Sequence, residues 1–152
     1  MLARFAPSCA LVTPDGVEPW RVYHDIRRRI LFERRGRHGI YDSNHPDDRQ
    51  PNHYPKLLLH AARYVGVVRI DIKGDVAYLR RVAIDEQYQR QGFGRILIGL
   101  AEAFARGQGA TRVESAVAVD TTAFYAKCGY RSVATMSADD PSVPMHKELS
   151  TA

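Results

Sequence analysis

The chain has 152 residues, of which 45% are hydrophobic and 26% are charged, and 22 Lys and Arg against 17 Asp and Glu give it a net charge of +5. These fractions exclude a disordered or collagen-like chain and predict one globular domain over residues 1–152. Charges or prolines interrupt every apolar stretch before the ~18 residues of a spanning helix, and Arg4 and Pro7 break up the N-terminal segment that a signal peptide would need. No membrane association and a cytoplasmic location are therefore expected.

The first third of the chain predicts a short strand, an amphipathic helix and a long loop. Ser8 to Thr13 has strand composition, and the turn residues 14–16 lead into a helical pattern. The apolar side chains of that pattern recur at three- and four-residue spacing, at Trp20, Tyr23, Ile26 and Ile30. The stretch from Tyr41 to Pro55 is rich in Pro, Asn, Asp and His and predicts a loop.

The remaining segments predict a sheet interrupted by two helices. Strands are expected at Lys56–Ala61, Val65–Ile72, Val76–Ile84, Arg112–Val117, Tyr130–Thr135 and Pro144–Leu149. Helices are expected from about Gly94 to Gly107 or Gly109 and from Thr121 to Lys127. The first three strands read as an antiparallel meander, and the crossover helix after them makes the next strand parallel.

The most informative segment is the junction between a strand and a helix at Val82–Arg95. Gly92 and Gly94 stand where the helix begins, and Arg90 and Arg95 flank the turn. A helix start presents unpaired backbone N–H groups and a partial positive charge, so it binds anions. The segment lacks the third glycine of a dinucleotide fingerprint and the lysine of a P-loop. We therefore predict a pyrophosphate cradle of another kind; a simple tight turn into a helix is the alternative.

This junction resembles the acetyl-CoA motif of the GNAT acetyltransferase superfamily, Gln/Arg-x-x-Gly-x-Gly/Ala, and Ala123–Tyr130 is similar to the family's later Phe-Tyr-x-Lys-x-Gly-Phe segment. The resemblance implies an α/β (α+β) fold with a mixed, mostly antiparallel central sheet, a splayed parallel strand pair and helices on both faces. It also implies that acetyl-CoA is the cosubstrate, and that Tyr125 protonates the departing thiolate. The cofactor-binding residues that it implies are Val82, Ala83, Ile84, Gln89, Arg90, Gln91, Gly92, Phe93, Gly94 and Arg95.

The expected activity is direct transfer of an acetyl group to a primary amine of a small molecule, peptide or protein, by a monomer or homodimer. A different acyl-CoA or a non-catalytic CoA-binding role is an alternative. Nucleic acid is a less favoured partner, suggested by the six arginines between Ile26 and Arg37. The resemblance implies that the region Ile26 to Pro55 forms the acceptor wall beside the acyl end of the cofactor, and its arginines are compatible with an acidic acceptor or an acidic acyl group.

The general base is not identified by the sequence. Candidates are Asp71, Asp75, His60, His45 and Asp47, each with a structural alternative. We expect no metal, because the His and Asp residues of the 38–55 loop follow no known ligand spacing. Cys128 stands where the family usually has an apolar residue, so we expect a buried small side chain instead of a nucleophile.

Overall fold

The computed structural model describes residues 8–133 and 141–150, which form one eight-stranded sheet and three α-helices. The strands are β1 (Cys9–Val12), β2 (His53–His60), β3 (Arg63–Lys73), β4 (Val76–Leu79), β5 (Ala83–Ile84), β6 (Arg112–Val117), β7 (Arg131–Ser132) and β8 (Val143–Glu148). The helices are α1 (Val17–Ile26), α2 (Phe93–Gly107) and α3 (Thr122–Lys127). The order across the sheet is β1-β2-β3-β4-β6-β8-β7, and β5 pairs with β3. None of the helices in these ranges is long and apolar enough to cross a bilayer.

Helices cover both faces of the sheet. Neighbouring residues of a strand point to opposite faces, and both faces of the central strands carry apolar side chains that the helices bury. Leu57 faces the side of α1, where it packs with Tyr23 and Ile26. Leu58 faces the side of α2, where the larger core contains Leu97 and Ile98. The mixed sheet and its two helical layers confirm the expected architecture. We refer to the two surfaces as the α1 face and the α2 face.

The parallel pair separates where the sequence predicted a continuous strand. β4 runs parallel to β6 from Val76 opposite Arg112 to Leu79 opposite Ser115. The chain then leaves β6, and β5 pairs with β3 instead. The expectation of one strand over Val76–Ile84 was therefore wrong at residues 80–82, and the break opens a fork between β5 and β6.

Gly66 allows β5 to lie against β3. A Cβ atom at this position would stand 2.7 Å from the Ile84 Cδ1 and 2.9 Å from the carbonyl oxygen of Ala83. Such distances are below van der Waals contact, so a larger residue would push β5 away from β3. The fork thus depends on a glycine that the strand pattern did not single out.

Several further boundaries differ from prediction. β2 begins at His53, so the end of the predicted 41–55 loop is strand, and residues 46–49 of that loop form a 3-10 turn. The first helix continues beyond α1 as a π-helical segment at Arg27–Phe32 and a 3-10 turn at Glu33–Arg35. β7 is shorter than the predicted strand Tyr130–Thr135, whereas β8 has the predicted length and begins one residue earlier than expected. Residues 134–140, which include the end of the predicted strand Tyr130–Thr135, lie outside the described residues, as do residues 1–7.

Candidate active site at the sheet fork

The turn before α2 leaves backbone N–H groups without hydrogen-bond partners inside the helix. Gly92 has a φ of 90° and a ψ of 0°, a left-handed conformation that glycine adopts without strain. The first helical hydrogen bond of α2 runs from the Ile96 N–H to the Gly92 carbonyl at 3.3 Å. The N–H groups of residues 93–95 have no carbonyl acceptor within the helix. No side chain within the described ranges caps the helix start. This arrangement suits an anion.

Gly94 has a second role that the motif did not reveal. A Cβ atom on Gly94 would lie 3.0 Å from the Cζ of Phe124, which precedes Tyr125 in α3. The absence of a side chain therefore lets α3 pack against the start of α2. Phe124 and Tyr125 are in edge contact, with ring centroids 5.7 Å apart, so the start of α2 and Tyr125 belong to one packed unit.

Hydrogen bonds from two glutamines shape the loop between β5 and α2. The Gln89 amide nitrogen donates to the Ile84 carbonyl at 2.8 Å, and the Gln91 amide nitrogen donates to the Gln87 carbonyl at 3.1 Å. The guanidinium of Arg34 donates to the Gln89 side-chain oxygen at 3.1 Å. The Gln89 and Gln91 side chains thus bond to the protein's own loop, and Arg34 joins that loop to the first helix.

A second arginine ties the same two parts together through ion pairs. The Arg29 guanidinium lies 3.3 Å from a carboxylate oxygen of Asp85 and 3.1 Å from one of Glu86. It also bonds Asp25 one turn earlier, at 2.9 Å. Arg28 differs, since its partners Asp25 and Glu33 belong to its own helical segment. The basic segment is therefore largely neutralised by neighbouring carboxylates.

Tyr125 lies at the point where β4 and β6 separate. Its hydroxyl shares a hydrogen bond with that of Ser115, and Ser115 lies opposite Leu79 in the last pair of the parallel ladder. Tyr125 is 7% exposed, and burial raises the pKa of its hydroxyl to about 12. The side chain is therefore a protonated, nearly buried hydroxyl at the closed end of the fork.

A buried ionic cluster occupies the α1 face beside the fork. Asp48 accepts hydrogen bonds from Tyr23 at 3.2 Å, from Arg27 at 3.1 Å and from Arg69 at 3.4 Å. Arg69 also donates to both oxygens of Asp71, at 2.8 and 3.0 Å. All of these residues are at least nearly buried, and their charges balance, as buried charges generally do.

Above this cluster is an open cavity of about 450 Å³ on the α1 face. Its wall includes Asp47, His53, Asp71, Lys73, Tyr78 and Arg80. His53 Nδ1 lies 2.6 Å from the Asp47 carbonyl oxygen, and its Nε2 lies 3.5 Å from a carboxylate oxygen of Asp71. His53 belongs to the predicted loop and was not among the expected candidates. Only its register position, opposite Asp71 on β3, places it here.

The other candidate bases lie elsewhere. The Asp75 carboxylate faces Thr111 at 3.5 Å in the turn before β4, His60 packs against Phe93 on the α2 side, and the His45 ring accepts a hydrogen bond from the Asp47 N–H. The structure therefore groups Asp71 and Asp47, of the five candidates, around the cavity.

The cysteines and the loop histidines show no metal-binding arrangement in the part of the chain that the structure describes. No cluster of three or more His, Cys, Asp or Glu side chains occurs in these ranges. Cys9 and Cys128 are free thiols, and burial raises the pKa of Cys128. Cys128 packs at the edge of the main core, where a small apolar side chain was expected.

Comparisons with known proteins agree with this geometry. The family model for the acetyltransferase (GNAT) family matches residues 20–130. The Bacillus subtilis protein YyaT is 28% identical over 127 residues, covering 82% of this chain and 86% of its own.

Two solved structures show the same fold at lower identity. An aminoglycoside 6'-N-acetyltransferase complexed with coenzyme A superposes with a TM-score of 0.78 at 14% identity, over 93% of this chain and 96% of its own. The Escherichia coli ribosomal-protein-S18-alanine N-acetyltransferase gives a TM-score of 0.72 at 17% identity, over 95% and 96%. With a family model spanning most of its length and a fork of the expected topology, this chain belongs to the GNAT acetyltransferase family.

Proposed function

We propose that the protein is an acetyl-CoA dependent N-acetyltransferase that acetylates a primary amine by direct transfer. The observation that carries this proposal is the position of the Tyr125 hydroxyl, next to Ser115 where the parallel pair opens. The turn at residues 90–95, which we call the phosphate turn, begins the helix that follows the fork, and Phe124 links it to Tyr125. An anion-binding helix start and a protonated acid therefore flank one groove.

The chain's own groups fit the cosubstrate in three places. The N–H groups from Arg90 to Arg95 suit a pyrophosphate, because they span the turn into α2 and the first turn of that helix, whose start has no side-chain cap in the described residues. The backbone at Val82, Ala83 and Ile84 lines one side of the fork and would hold the pantetheine arm. Val82 lies outside both the β4–β6 and the β3–β5 ladders. Gln89 and Gln91 contribute by fixing the loop that presents these groups.

Acetyl-CoA supplies a thioester, whose carbonyl carbon forms a C–N bond with the amine while the C–S bond breaks. Tyr125 acts as the proton donor to the departing sulfur, since with a pKa of about 12 its hydroxyl is protonated at neutral pH. As the C–N bond forms, the amine nitrogen loses one proton, which restores the Tyr125 hydroxyl. Because alkyl amines are protonated at neutral pH, the acceptor must also lose one proton before it attacks. That proton leaves towards water through the open cavity on the α1 face.

The first test is calorimetric titration with acetyl-CoA and with free CoA, followed by measurement of thiol release with a panel of amines. We expect saturable one-site binding of both nucleotides and amine-dependent release of CoA. Salt-sensitive binding of nucleic acid without any binding of acetyl-CoA would contradict the proposal and favour the basic segment as the functional surface. Binding of CoA without thiol release from any amine would point to a non-catalytic CoA-binding role.

A further inference from the structure

The cavity on the α1 face carries a positive charge that its own acidic residues do not neutralise. We propose that the acceptor amine bears an anionic group, a carboxylate or a phosphate, that binds Arg80 and Lys73. This inference rests on the proposed acetyltransferase activity, and it narrows the acceptor class. It distinguishes the expected acceptor from polyamines and from the aminoglycosides acetylated by one protein of the same fold.

The buried charges at the floor of the cavity neutralise one another. Asp48 and Asp71 are buried and are matched by the two arginines Arg27 and Arg69, with N–O distances of 2.8 to 3.4 Å. Both carboxylate oxygens of Asp71 already accept hydrogen bonds from Arg69. The buried carboxylates are therefore poorly placed to attract the ammonium groups of a polycation.

The surplus charge lies on the wall. Arg80 is half-exposed, approaches Asp71 only to 3.7 Å and lies over the Tyr78 ring. Among the described residues, Lys73 has no side-chain ion pair or hydrogen bond. Asp47 at the rim is the opposing charge, and it lies 3.7 Å from His45. Two accessible cations against one rim carboxylate favour an anionic ligand, and a half-exposed guanidinium can still bind a carboxylate or phosphate through two donors.

The position of Arg80 next to the fork limits the expected distance between the amine and the anionic group of the acceptor. Arg80 follows Leu79 directly, and Leu79 is the last residue of β4 paired with β6. The Arg80 backbone N–H donates to the Arg69 carbonyl at 2.8 Å, which fixes it beside the fork. An anion bound here lies close to the groove where the thioester is expected. We therefore expect a compact acceptor, with its amine only a few bonds from the anionic group.

Matched pairs of amines test the charge preference. We would compare β-alanine with β-alaninamide and O-phosphoethanolamine with ethanolamine, with rates expressed per neutral amine and spermidine as a polycationic probe. We expect kcat/KM for the anionic member to exceed that of its neutral partner roughly tenfold. The two pairs separate a carboxylate from a phosphate acceptor. Equal rates within both pairs, or faster acetylation of spermidine, would overturn the inference.

Variants then test the residues. Arg80→Gln and Lys73→Gln should raise KM for the anionic acceptor with a small change for its neutral partner, whereas Arg63→Gln, an exposed arginine at the other end of β3, should change neither. Arg80→Glu should reverse the preference towards spermidine. An equal loss on anionic and neutral acceptors in Arg80→Gln would mean that Arg80 serves only the fold of the site.

Two controls separate this inference from the proposed function. Failure of the wild-type protein to bind acetyl-CoA would refute the acetyltransferase proposal itself, whereas normal binding and turnover without a charge preference would refute only the inference. Replacing acetyl-CoA with succinyl-CoA tests the other origin of an anion. Faster transfer of the succinyl group to neutral amines would place the negative charge on the acyl group and overturn the acceptor assignment.

Discussion

The Ser115 hydroxyl donates to the Leu79 carbonyl at 3.3 Å, across the last pair of the parallel ladder. This bond joins the two strands immediately before they separate. Because the same hydroxyl contacts Tyr125, the position of the proposed acid is set by the sheet and not by α3 alone. The fork and Tyr125 are therefore one structural unit.

Replacing Tyr125 with Phe should lower kcat by roughly 10²-fold, because the departing sulfur would lose its proton donor. The affinity for acetyl-CoA should change little, since the ring and its packing with Phe124 and Tyr130 are retained. Steady-state kinetics and calorimetry on the same preparation measure the two effects. Tyr64→Phe, on the α1 side of the sheet, is the matched control, and unchanged kcat in Tyr125→Phe would reject the acid role.

Substituting Gly92 with Ala should weaken acetyl-CoA binding and destabilise the fold by about 1 kcal/mol, because a φ of 90° strains a residue with a side chain. No atom within 4 Å would clash with the new methyl group, so the effect arises from the backbone conformation. Gly107→Ala, also unobstructed but with ordinary helical geometry, should bind normally. Calorimetry would measure the affinity for acetyl-CoA, and thermal denaturation would measure the stability of each variant. Equal affinities and equal stabilities of the two variants would argue against a role for the Gly92 conformation.

Arg29→Gln should reduce acetyl-CoA affinity, because it removes the ion pairs that hold Asp85 and Glu86 before the phosphate turn. A loss of about 1 kcal/mol corresponds to roughly a fivefold rise in Kd. Arg28→Gln removes an equal charge from the same helix, but its partners are local, so its Kd should stay near that of the wild type. Similar Kd values for the two variants would show that charge, and not the link to the loop, is responsible.

Raising the pH above 10 should destabilise the protein. Burial raises the pKa of Tyr125 and of Tyr41 to about 12 and also raises that of Tyr23. Below pH 10 these tyrosines are protonated in both the folded and unfolded states, so they add no pH dependence. Between pH 10 and 12 the unfolded chain releases protons that the folded chain retains, so the free energy of unfolding falls.

Thermal denaturation from pH 8 to 11, together with tyrosinate absorbance, measures this alkaline effect. The melting temperature should fall steeply only above pH 10, and the buried tyrosines should titrate together with unfolding. Reversible ionisation of every tyrosine near pH 10 in the folded protein would contradict the prediction.

Much of this architecture follows from local sequence patterns. The three-and-four spacing of Leu97, Ala101 and Phe104 and the glycines at each end defined α2 closely, because an amphipathic helix leaves a strong periodic signal. The glycine-rich junction predicted an anion-binding helix start for an equally local reason, since it depends on a few consecutive residues. The family resemblance placed Tyr125, and whether that residue is the acid stays a prediction.

The tertiary structure decided what depends on register and on contacts between distant segments. The break between β4 and β5 arises because Gly66 lets β5 pair with β3, and no pattern within residues 76–84 encodes that choice. His53 reaches the cavity only through its register opposite Asp71. The sequence by itself determined most of the elements and predicted an anion-binding turn, because these depend on neighbouring residues. Only the fold decided which of many arginines and aspartates neutralise one another and which, such as Arg80, remain available beside the fork, because ion pairing depends on distances in space.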